Sequence, residues 1–330
     1  MKFIWRSRSW SAPLLIAVLV QVAISSALAG DTGLYVAVGA EGRRMTSRDG
    51  FAWENDQRWN AGGVQEKGDV LMDIAYGVGR FVAVGGGTKE GWLLSSPDGR
   101  DWREIPMGKA VVSTVAFGNG RFVAVRAGEL LASTDGEDFQ TGERLNWNGS
   151  IHSWRSACGD TEAGFRFVVI GDVELDAEQK RVPWRGSTED GSRWDHSALK
   201  TPEVRDVAYG AGLFVVVGPD GRIESSHDGQ SWQLRASTPG EDFSRIVWTG
   251  THFFVTGGKV PWSSADGITW EKAANEIPCR VIWAREGGVA LGLSWSGELF
   301  ASRDLREWKR VASPPGPPLR AVTFGAVGKP

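Results

Sequence analysis

A seven-residue pattern that recurs along the chain constrains the fold more than any other feature. In its cleanest form, at residues 226–232, it reads Ser-x-Asp-Gly-x-x-Trp. Seven copies occur, and their aspartates are Asp49, Asp98, Asp135, Asp190, Asp228, Asp266 and Asp304. The last four aspartates are spaced 38 residues apart. A pattern repeated at this period indicates one small structural unit built several times and stacked on itself.

Each copy lies at the end of a longer repeat of short strands. In residues 204–232, two apolar segments, 204–210 and 213–218, are followed by the alternating segment 222–225. Glycine-containing turns separate the three segments, and the Asp-Gly turn then leads into a fourth. Four short antiparallel strands joined by hairpins form one blade of a β-propeller.

The two ends of the chain complement each other. Residues 34–39 match the second strand of the repeat without a first, and residues 319–325 match a first strand without a second. The C-terminal strand is therefore predicted to complete the N-terminal blade, which closes the ring and removes free sheet edges. The predicted fold is all-β: a seven-bladed β-propeller of four-stranded blades, occupying residues 30–330 as a single domain.

Residues 1–29 have the features of a secretory signal peptide. Three basic residues precede an apolar run at 12–23, and small residues lead up to Ala29. This order predicts cleavage after Ala29 and export to the periplasm or the extracellular space. The alternative is an uncleaved membrane anchor, for which the apolar run is short. We expect no membrane span after cleavage.

The remaining composition narrows the choice of partners. Removing residues 1–29, which carry three positive charges and no negative ones, changes the formal net charge from −3 to −6. An acidic chain of this kind is poorly suited to binding nucleic acid.

Two cysteines, Cys158 and Cys279, are too few for a disulfide framework, and we expect free thiols. The four histidines lack the spacing of metal ligands, and the sequence has no phosphate-binding loop. We therefore expect neither a metal nor a cofactor. We expect a monomer.

The repeated pattern resembles the Asp box of sialidase-type (BNR) repeats. The set of seven is similar to exported propellers of the photosystem II assembly-factor and sortilin kind, over essentially the whole mature chain. The resemblance implies that the boxes lie at the outer rim, away from the active face. Physically, the aspartate accepts hydrogen bonds from backbone amides of the turn, the glycine permits a positive φ, and the aromatic residue packs between blades. Leu305 replaces the glycine in the last copy, whose turn is predicted to be the weakest.

Length variation is concentrated on one face of the predicted propeller. The loops between second and third strands and between blades emerge there, and segments 54–69, 140–150 and 172–185 are long. The opposite face has one small insertion, at 160–164. Variable loops on a rigid scaffold commonly carry binding. We therefore expect the ligand on the variable-loop face.

Five arginines stand at the start of the innermost strand in five blades: Arg155, Arg205, Arg245, Arg280 and Arg320. Because the innermost strands surround the central channel, these guanidinium groups would form a basic ring at its mouth. Such a ring suits carboxylates, sulfates or phosphates. The alternative is that the arginines form salt bridges between blades, with Asp73 and Asp206 as partners. The sequence leaves both interpretations open.

Six tryptophans outside the repeated pattern lie in or beside the variable loops: Trp59, Trp92, Trp147, Trp184, Trp262 and Trp295. Exposed tryptophans stack on sugar rings or anchor partner proteins, whereas others cap a hairpin by packing on their own blade. Trp184 and Trp262 each follow a proline at the same repeat position, which is typical of a structural residue. Trp59 and Trp147 are the binding candidates.

Sialidase chemistry needs a tyrosine nucleophile paired with glutamate, beside an arginine triad. Tyr35, Tyr76 and Tyr209 all occupy packing positions of the repeat, and the family's Arg-Ile-Pro motif is absent. Other loop carboxylates that could act in catalysis are Asp56, Glu66, Glu174 and Asp176. The favoured function is a non-catalytic exported scaffold that binds a protein or an anionic glycan at the channel mouth. The alternative is a glycoside hydrolase or lyase acting on an anionic sugar.

Overall fold

The computed structural model describes residues 33–58, 69–87, 90–175, 180–199, 201–273, 276–285, 288–294, 296–311 and 313–327. These residues form 28 β-strands in seven four-stranded antiparallel sheets. The predicted all-β, seven-bladed propeller is confirmed. Within the described ranges, no helix has the length and apolar character needed to cross a membrane. The predicted signal peptide lies outside the described residues.

The blades are numbered along the chain. Blades 1 to 3 contain the following strands: β1 Gly33–Gly39, β2 Arg44–Ser47, β3 Glu54–Gln57 and the C-terminal strand β28 Leu319–Ala326; β4 Val70–Gly77, β5 Arg80–Gly86, β6 Gly91–Ser96 and β7 Arg103–Pro106; β8 Val112–Gly118, β9 Arg121–Arg126, β10 Glu129–Ser133 and β11 Gln140–Arg144.

Blades 4 to 7 follow the same order, with the first strand innermost: β12 Ser150–Thr161, β13 Gly164–Leu175, β14 Lys180–Thr188 and β15 His196–Leu199; β16 Asp206–Gly210, β17 Leu213–Gly218, β18 Arg222–Ser226 and β19 Gln233–Ala236; β20 Arg245–Trp248, β21 Phe253–Thr256, β22 Trp262–Ser264 and β23 Glu271–Lys272; β24 Arg280–Trp283, β25 Ala290–Leu293, β26 Leu299–Ser302 and β27 Lys309–Arg310.

The ring closes as the sequence predicts. Strand β28 pairs antiparallel with β1, with Phe324 opposite Tyr35, and becomes the innermost strand of blade 1. The Arg43 side chain secures the segment before β28: its Nε donates to Asp56 at 2.8 Å and its Nη1 to the Pro317 carbonyl at 2.8 Å. The side chain of Arg43 is only 5% exposed, so this contact is part of the packed interior.

The tyrosines have packing roles. Tyr35 is buried, with its ring 4.8 Å from that of Phe324 and edge-on to it. Tyr209 packs on the backbone of the preceding blade at Gly159, where an added Cβ would come within 2.1 Å of the ring, and its hydroxyl donates to the Asp160 carbonyl. Tyr76 donates in the same way to the Ala326 carbonyl of β28. Aromatic rings thus connect neighbouring innermost strands.

The repeated pattern forms one type of turn, called here the Ser–Asp turn, between the third and fourth strands of each blade. In blade 5, Asp228 Oδ1 accepts from the amides of Gln230 and Ser231 at 2.8 and 2.7 Å. Ser226 Oγ accepts the Gly229 amide at 2.8 Å. Gly229 has a φ of +72°, and an added Cβ would lie 2.7 Å from Val168 of blade 4. The turn therefore presses against the neighbouring blade.

The aspartate of this turn is held in its charged form. Burial alone would raise the pKa of Asp228, but the amides of Ser231 and Gln230 and the Ser226 hydroxyl lower that pKa to about 2. The carboxylate of Asp228 therefore stabilises the turn through these contacts.

The last Ser–Asp turn keeps the same hydrogen bonds without a glycine. The Leu305 amide donates to Ser302 Oγ at 2.9 Å, while Leu305 itself has a φ of +62°. A leucine is strained in this left-handed region. Its side chain is partly buried against a cluster that includes Phe254 and Val281, which offsets part of that cost.

Two segments predicted as long loops are largely strand, and in this respect the prediction was wrong. Residues 172–185 mostly continue β13 and β14, and residues 140–144 are β11. Val173 and Val182 are buried on one side of the extended hairpin, which is why the chain stays in the sheet. Strands β12 and β13 have twelve residues each, so blade 4 is longer than its neighbours.

Both cysteines are free thiols, as expected. Cys279 is buried and Cys158 half-buried. Burial raises the pKa of each thiol to about 12, so both are protonated at neutral pH.

Candidate functional site

A depression of about 840 Å³ opens on the variable-loop face, where the central channel begins. It continues into a channel section of about 360 Å³, and Met72, Arg155, Arg245 and Arg320 line both spaces. Six arginines line the depression: Arg144, Arg155, Arg181, Arg205, Arg245 and Arg320. Among its described lining residues there is no Asp, Glu, Asn or Gln. We call this depression the basic mouth.

Strand register divides the predicted arginine ring into two levels. Arg155, Arg245 and Arg280 lie opposite Ile170, Thr256 and Leu293 on the second strands of their blades. The same register position holds Asp73 in blade 2 and Asp206 in blade 5. Arg205 and Arg320 stand one residue earlier. One level of the channel wall thus has three arginines and two aspartates, and the outer level has two arginines.

Four blades add a bulged residue to the mouth. The register shifts between Leu71 and Asp73 in blade 2, and likewise around Ser113, Trp154 and Arg320 in blades 3, 4 and 1. Met72, Ser113, Trp154 and Arg320 are the extra residues, and all four line the basic mouth. Bulges of this kind turn a side chain away from the regular pleat, often next to functional sites.

The two aspartates join neighbouring innermost strands. Asp206 accepts the amide of Ile246 in blade 6 at 3.0 Å. Asp73 accepts the amide of Val115 in blade 3 at 3.1 Å and the Thr114 hydroxyl at 2.7 Å. Burial raises the pKa of Asp73, although the charge of a nearby arginine lowers it. Both carboxylates are therefore committed to the ring itself.

Arg155 and Arg205 have acidic partners among the described residues, which supports the salt-bridge interpretation in part. Arg155 Nε lies 3.8 Å from Asp206 across the interface between blades 4 and 5. Arg205 lies 2.6 Å from Asp242 and 3.4 Å from Glu203. The hydrogen bond that Arg205 donates to Asp242 is the main cause of the raised pKa of Arg205.

Arg245 and Arg320 are different. Neither forms an ion pair within 4 Å to any residue that the structure describes. Burial, followed by repulsion from Arg155, lowers the pKa of Arg245 to about 10, so it is still charged at neutral pH. Burial and the charges of Arg320 and Arg155 lower the pKa of Arg280, which lines a separate cavity next to the mouth. Positive charge is thus concentrated where the channel begins, and it favours an anion there.

The long strands of blade 4 supply a wall of the mouth that the sequence-based prediction missed. His152 and Trp154 come from β12 and Arg181 from β14, and Arg144 joins them from blade 3. Arg181 also lies 3.4 Å from the buried Asp172. The alternation of apolar and polar residues around Val173 was the available signal that the strands continue.

The tryptophan candidates that the structure describes do not form an exposed platform. Trp147 is half-buried, edge-on to the fully buried Trp184 with the ring centroids 5.4 Å apart. Trp262 packs on Phe243 in the core of blade 6. Trp59 and Trp295 lie outside the described residues, so the binding role predicted for Trp59 stays a prediction.

The candidate catalytic carboxylates are either engaged or undescribed. Asp56 pairs with Arg43, and Glu174 lies 3.5 Å from Arg181. Glu66 and Asp176 fall outside the described residues. Within the described part of the chain, no cluster of three or more His, Cys, Asp or Glu side chains could hold a metal ion.

No family model matches the sequence, and no curated protein matches it either. Solved structures match by fold. The WD40 domain of Neurospora crassa Pan2 superposes with a TM-score of 0.54 at 7% identity, over 75% of this chain and 80% of that one. The β-propeller domain of the trilobed protease from Pyrococcus furiosus gives a TM-score of 0.50 at 12% identity, over 75% and 86%.

The acylaminoacyl peptidase of Pyrococcus horikoshii matches with a TM-score of 0.52 at 11% identity, over 74% of this chain. The match spans only 46% of the peptidase chain. At these identities the likeness shows the propeller fold alone, and it shows no enzymatic activity.

Proposed function

We propose that this chain is an exported, monomeric Asp-box propeller whose basic mouth binds an anionic group of a protein or glycan partner. The observation that carries the proposal is the lining of the mouth, with six arginines and no carboxylate among its described residues. Three of these arginines, Arg144, Arg245 and Arg320, form no ion pair to any residue that the structure describes. An anionic partner would supply the missing negative charge.

The lining also limits the chemistry of the ligand. Arginine offers only donors, and the other polar lining side chains are three serines and His152. Carboxylate, sulfate and phosphate oxygens are pure acceptors, so they match this lining. The hydroxyls of a neutral sugar also need acceptors, which the described side chains provide poorly. The mouth therefore favours charged groups over neutral sugars.

The size of the mouth fits a small part of a larger partner. Ligand pockets have volumes of roughly 300–1,000 Å³, and the basic mouth has about 840 Å³. It holds an acidic side-chain cluster, a chain end or one to two sugar residues. The variable loops around it would contact the rest of the partner.

The proposal is tested by calorimetric titration of residues 30–330 with acidic peptides and with uronic or sulfated oligosaccharides. Arg320→Gln removes an exposed charge at the mouth, and Arg306→Gln removes an exposed charge from a Ser–Asp turn on the opposite face. One charge-assisted contact contributes about tenfold in affinity. We expect that loss for Arg320→Gln, no change for Arg306→Gln, and weaker binding as salt rises.

Three outcomes would contradict the proposal. One is that no anionic ligand binds, and another is that both variants lose affinity equally. The third is turnover of a fluorogenic glycoside that a single substitution of Glu174 or Asp176 abolishes, which would favour the enzyme alternative. Export is tested separately, by the mass of the mature N-terminus in the exported fraction.

A further inference from the structure

A second cavity, of about 170 Å³, lies on the variable-loop face between blades 6 and 7. It shares no described lining residue with the basic mouth. Blade 6 contributes Ser244, Thr256 and the loop at 257–259, and blade 7 contributes Cys279, Arg280 and Leu293. The cavity is therefore a feature of one blade interface and not of the channel.

Thr256 is out of place in the repeat. The equivalent positions in the other six blades are aliphatic: Val38, Val84, Val125, Ile170, Val217 and Leu293. Thr256 is 3% exposed, and its hydroxyl has no hydrogen-bond partner among the described residues. A buried hydroxyl without a partner costs stability, and a valine would fit the sheet without that cost. The threonine therefore suggests a ligand for its hydroxyl.

Ser244 lines the same cavity, and its hydroxyl is also buried without a described partner. The Ser244 amide donates to the Thr256 carbonyl at 2.9 Å, which holds the two residues together. Gly257 has a φ of +108°, and a Cβ there would come within 2.3 Å of Ser244 Oγ. Only a glycine lets the loop backbone approach the serine this closely. The backbone therefore holds Ser244 against the Thr256–Gly257 segment, and both hydroxyl-bearing residues line the cavity.

The opposite wall combines a cation with apolar surface. Arg280 supplies a guanidinium group, and Ile277 and Leu293 supply hydrocarbon. The Cys279 thiol is neutral because burial raises its pKa to about 12, so it adds no charge. Two exposed residues of opposite charge, Lys259 and Glu276, also line the cavity. With Arg280 they give the lining two positive charges and one negative charge, which suits a ligand with a single negative charge.

We propose that this cavity binds a small organic monoanion. Its carboxylate accepts hydrogen bonds from Ser244 and Thr256 and pairs with Arg280, and its hydrocarbon part packs on Ile277 and Leu293. Since a water occupies about 30 Å³, the cavity suits a short-chain acid such as propionate or butyrate. This site is separate from the function proposed for the mouth.

The test is a titration of residues 30–330 with acetate, propionate and butyrate at constant ionic strength, followed by amide chemical shifts. Propionamide serves as the neutral analogue. Thr256→Val removes only the hydroxyl and installs the residue found in other blades. Ser95→Ala is the matched control, because Ser95 is buried with an unpartnered hydroxyl but does not line this cavity.

We expect saturable propionate binding with shifts confined to blades 6 and 7, and binding of propionamide weaker by at least about tenfold. Thr256→Val should weaken propionate binding about tenfold, and Ser95→Ala should not. The proposal is overturned if no acid saturates, or if Thr256→Val is folded and binds propionate like the parent. Water alone then fills the cavity. Arg144→Gln, at the mouth, should not affect propionate, so failure here is distinguishable from failure at the mouth.

Discussion

The Ser–Asp turns lead to a stability prediction that depends on contact between blades. Gly229, in the turn of blade 5, has a φ of +72°, and a Cβ there would lie 2.7 Å from Val168 of blade 4. Gly212, between β16 and β17, has nearly the same φ of +75°, but an added Cβ would meet nothing within 4 Å. Alanine at the two positions shares the backbone strain and differs in the contact with the neighbouring blade.

The two costs can be separated. Left-handed backbone costs an alanine about 1–2 kcal/mol, so Gly212→Ala should lower the free energy of unfolding by about that amount. Forcing a methyl group into a packed interface costs about 1–3 kcal/mol more. Gly229→Ala should therefore lose about 2–5 kcal/mol. Each of the six glycine-containing turns faces a valine of the preceding blade: Val36, Val82, Val123, Val168, Val215 and Val289.

The assay is urea unfolding of both variants and the parent, followed by tryptophan fluorescence. The midpoint should fall further for Gly229→Ala than for Gly212→Ala. Equal losses in the two variants would refute the inference that the Ser–Asp turns hold adjacent blades together. A larger loss for Gly212→Ala would refute it more strongly.

Three further predictions concern charge and ring closure. The pKa of Asp228 falls from 3.8 to about 2 on folding, so the stability that the charged carboxylate adds to the fold is complete above about pH 4 and is lost as the pH falls toward 2. A plot of the urea midpoint against pH should therefore be flatter for Asp228→Asn than for the parent. Parallel curves for the two proteins would contradict this. Arg43→Met leaves Asp56 without its partner and should lower the free energy of unfolding by about 3 kcal/mol, with faster proteolysis of the C-terminal segment. Unchanged proteolysis would contradict the inference that Arg43 secures the segment before β28. Tyr76→Phe and Tyr209→Phe each remove one hydroxyl hydrogen bond between neighbouring innermost strands, and each should lower the free energy of unfolding by about 1 kcal/mol in thermal melts. Unchanged stability in both variants would contradict a stabilising role for these hydrogen bonds.

The fold could be predicted from the sequence because it depends on local signals that repeat. The segments 34–39 and 319–325 correspond to β1 and β28 within one residue. Turn glycines and β-branched runs specify each hairpin locally. The complementary ends then required a closed ring.

The outer strands were less predictable. Strand β3, Glu54–Gln57, is exposed or half-exposed along its whole length and has no apolar alternation. Its extended conformation depends on pairing with β2, and no side-chain pattern reveals that pairing. The same holds for β11, which the sequence suggested was a loop.

The site was predicted in part. The arginine positions followed from the repeat, but their division into two levels depends on strand register. Bulges at Met72, Ser113, Trp154 and Arg320 alter that register by one residue, and a sequence does not reveal them. The contribution of Arg181 depends on how blade 4 is extended, and that of Arg144 depends on the pairing of β11 in blade 3; both are properties of the folded sheets.

If the basic mouth holds the partner, removing charge there must cost more affinity than removing the same charge from the opposite face. The decisive measurement compares Arg144→Gln/Arg320→Gln with Arg193→Gln/Arg306→Gln, all at exposed side chains, against the tightest anionic ligand of the mature chain. The first pair should lower affinity by about tenfold or more, and the second by less than about twofold. Equal losses, or a loss only in the second pair, would contradict binding at the mouth.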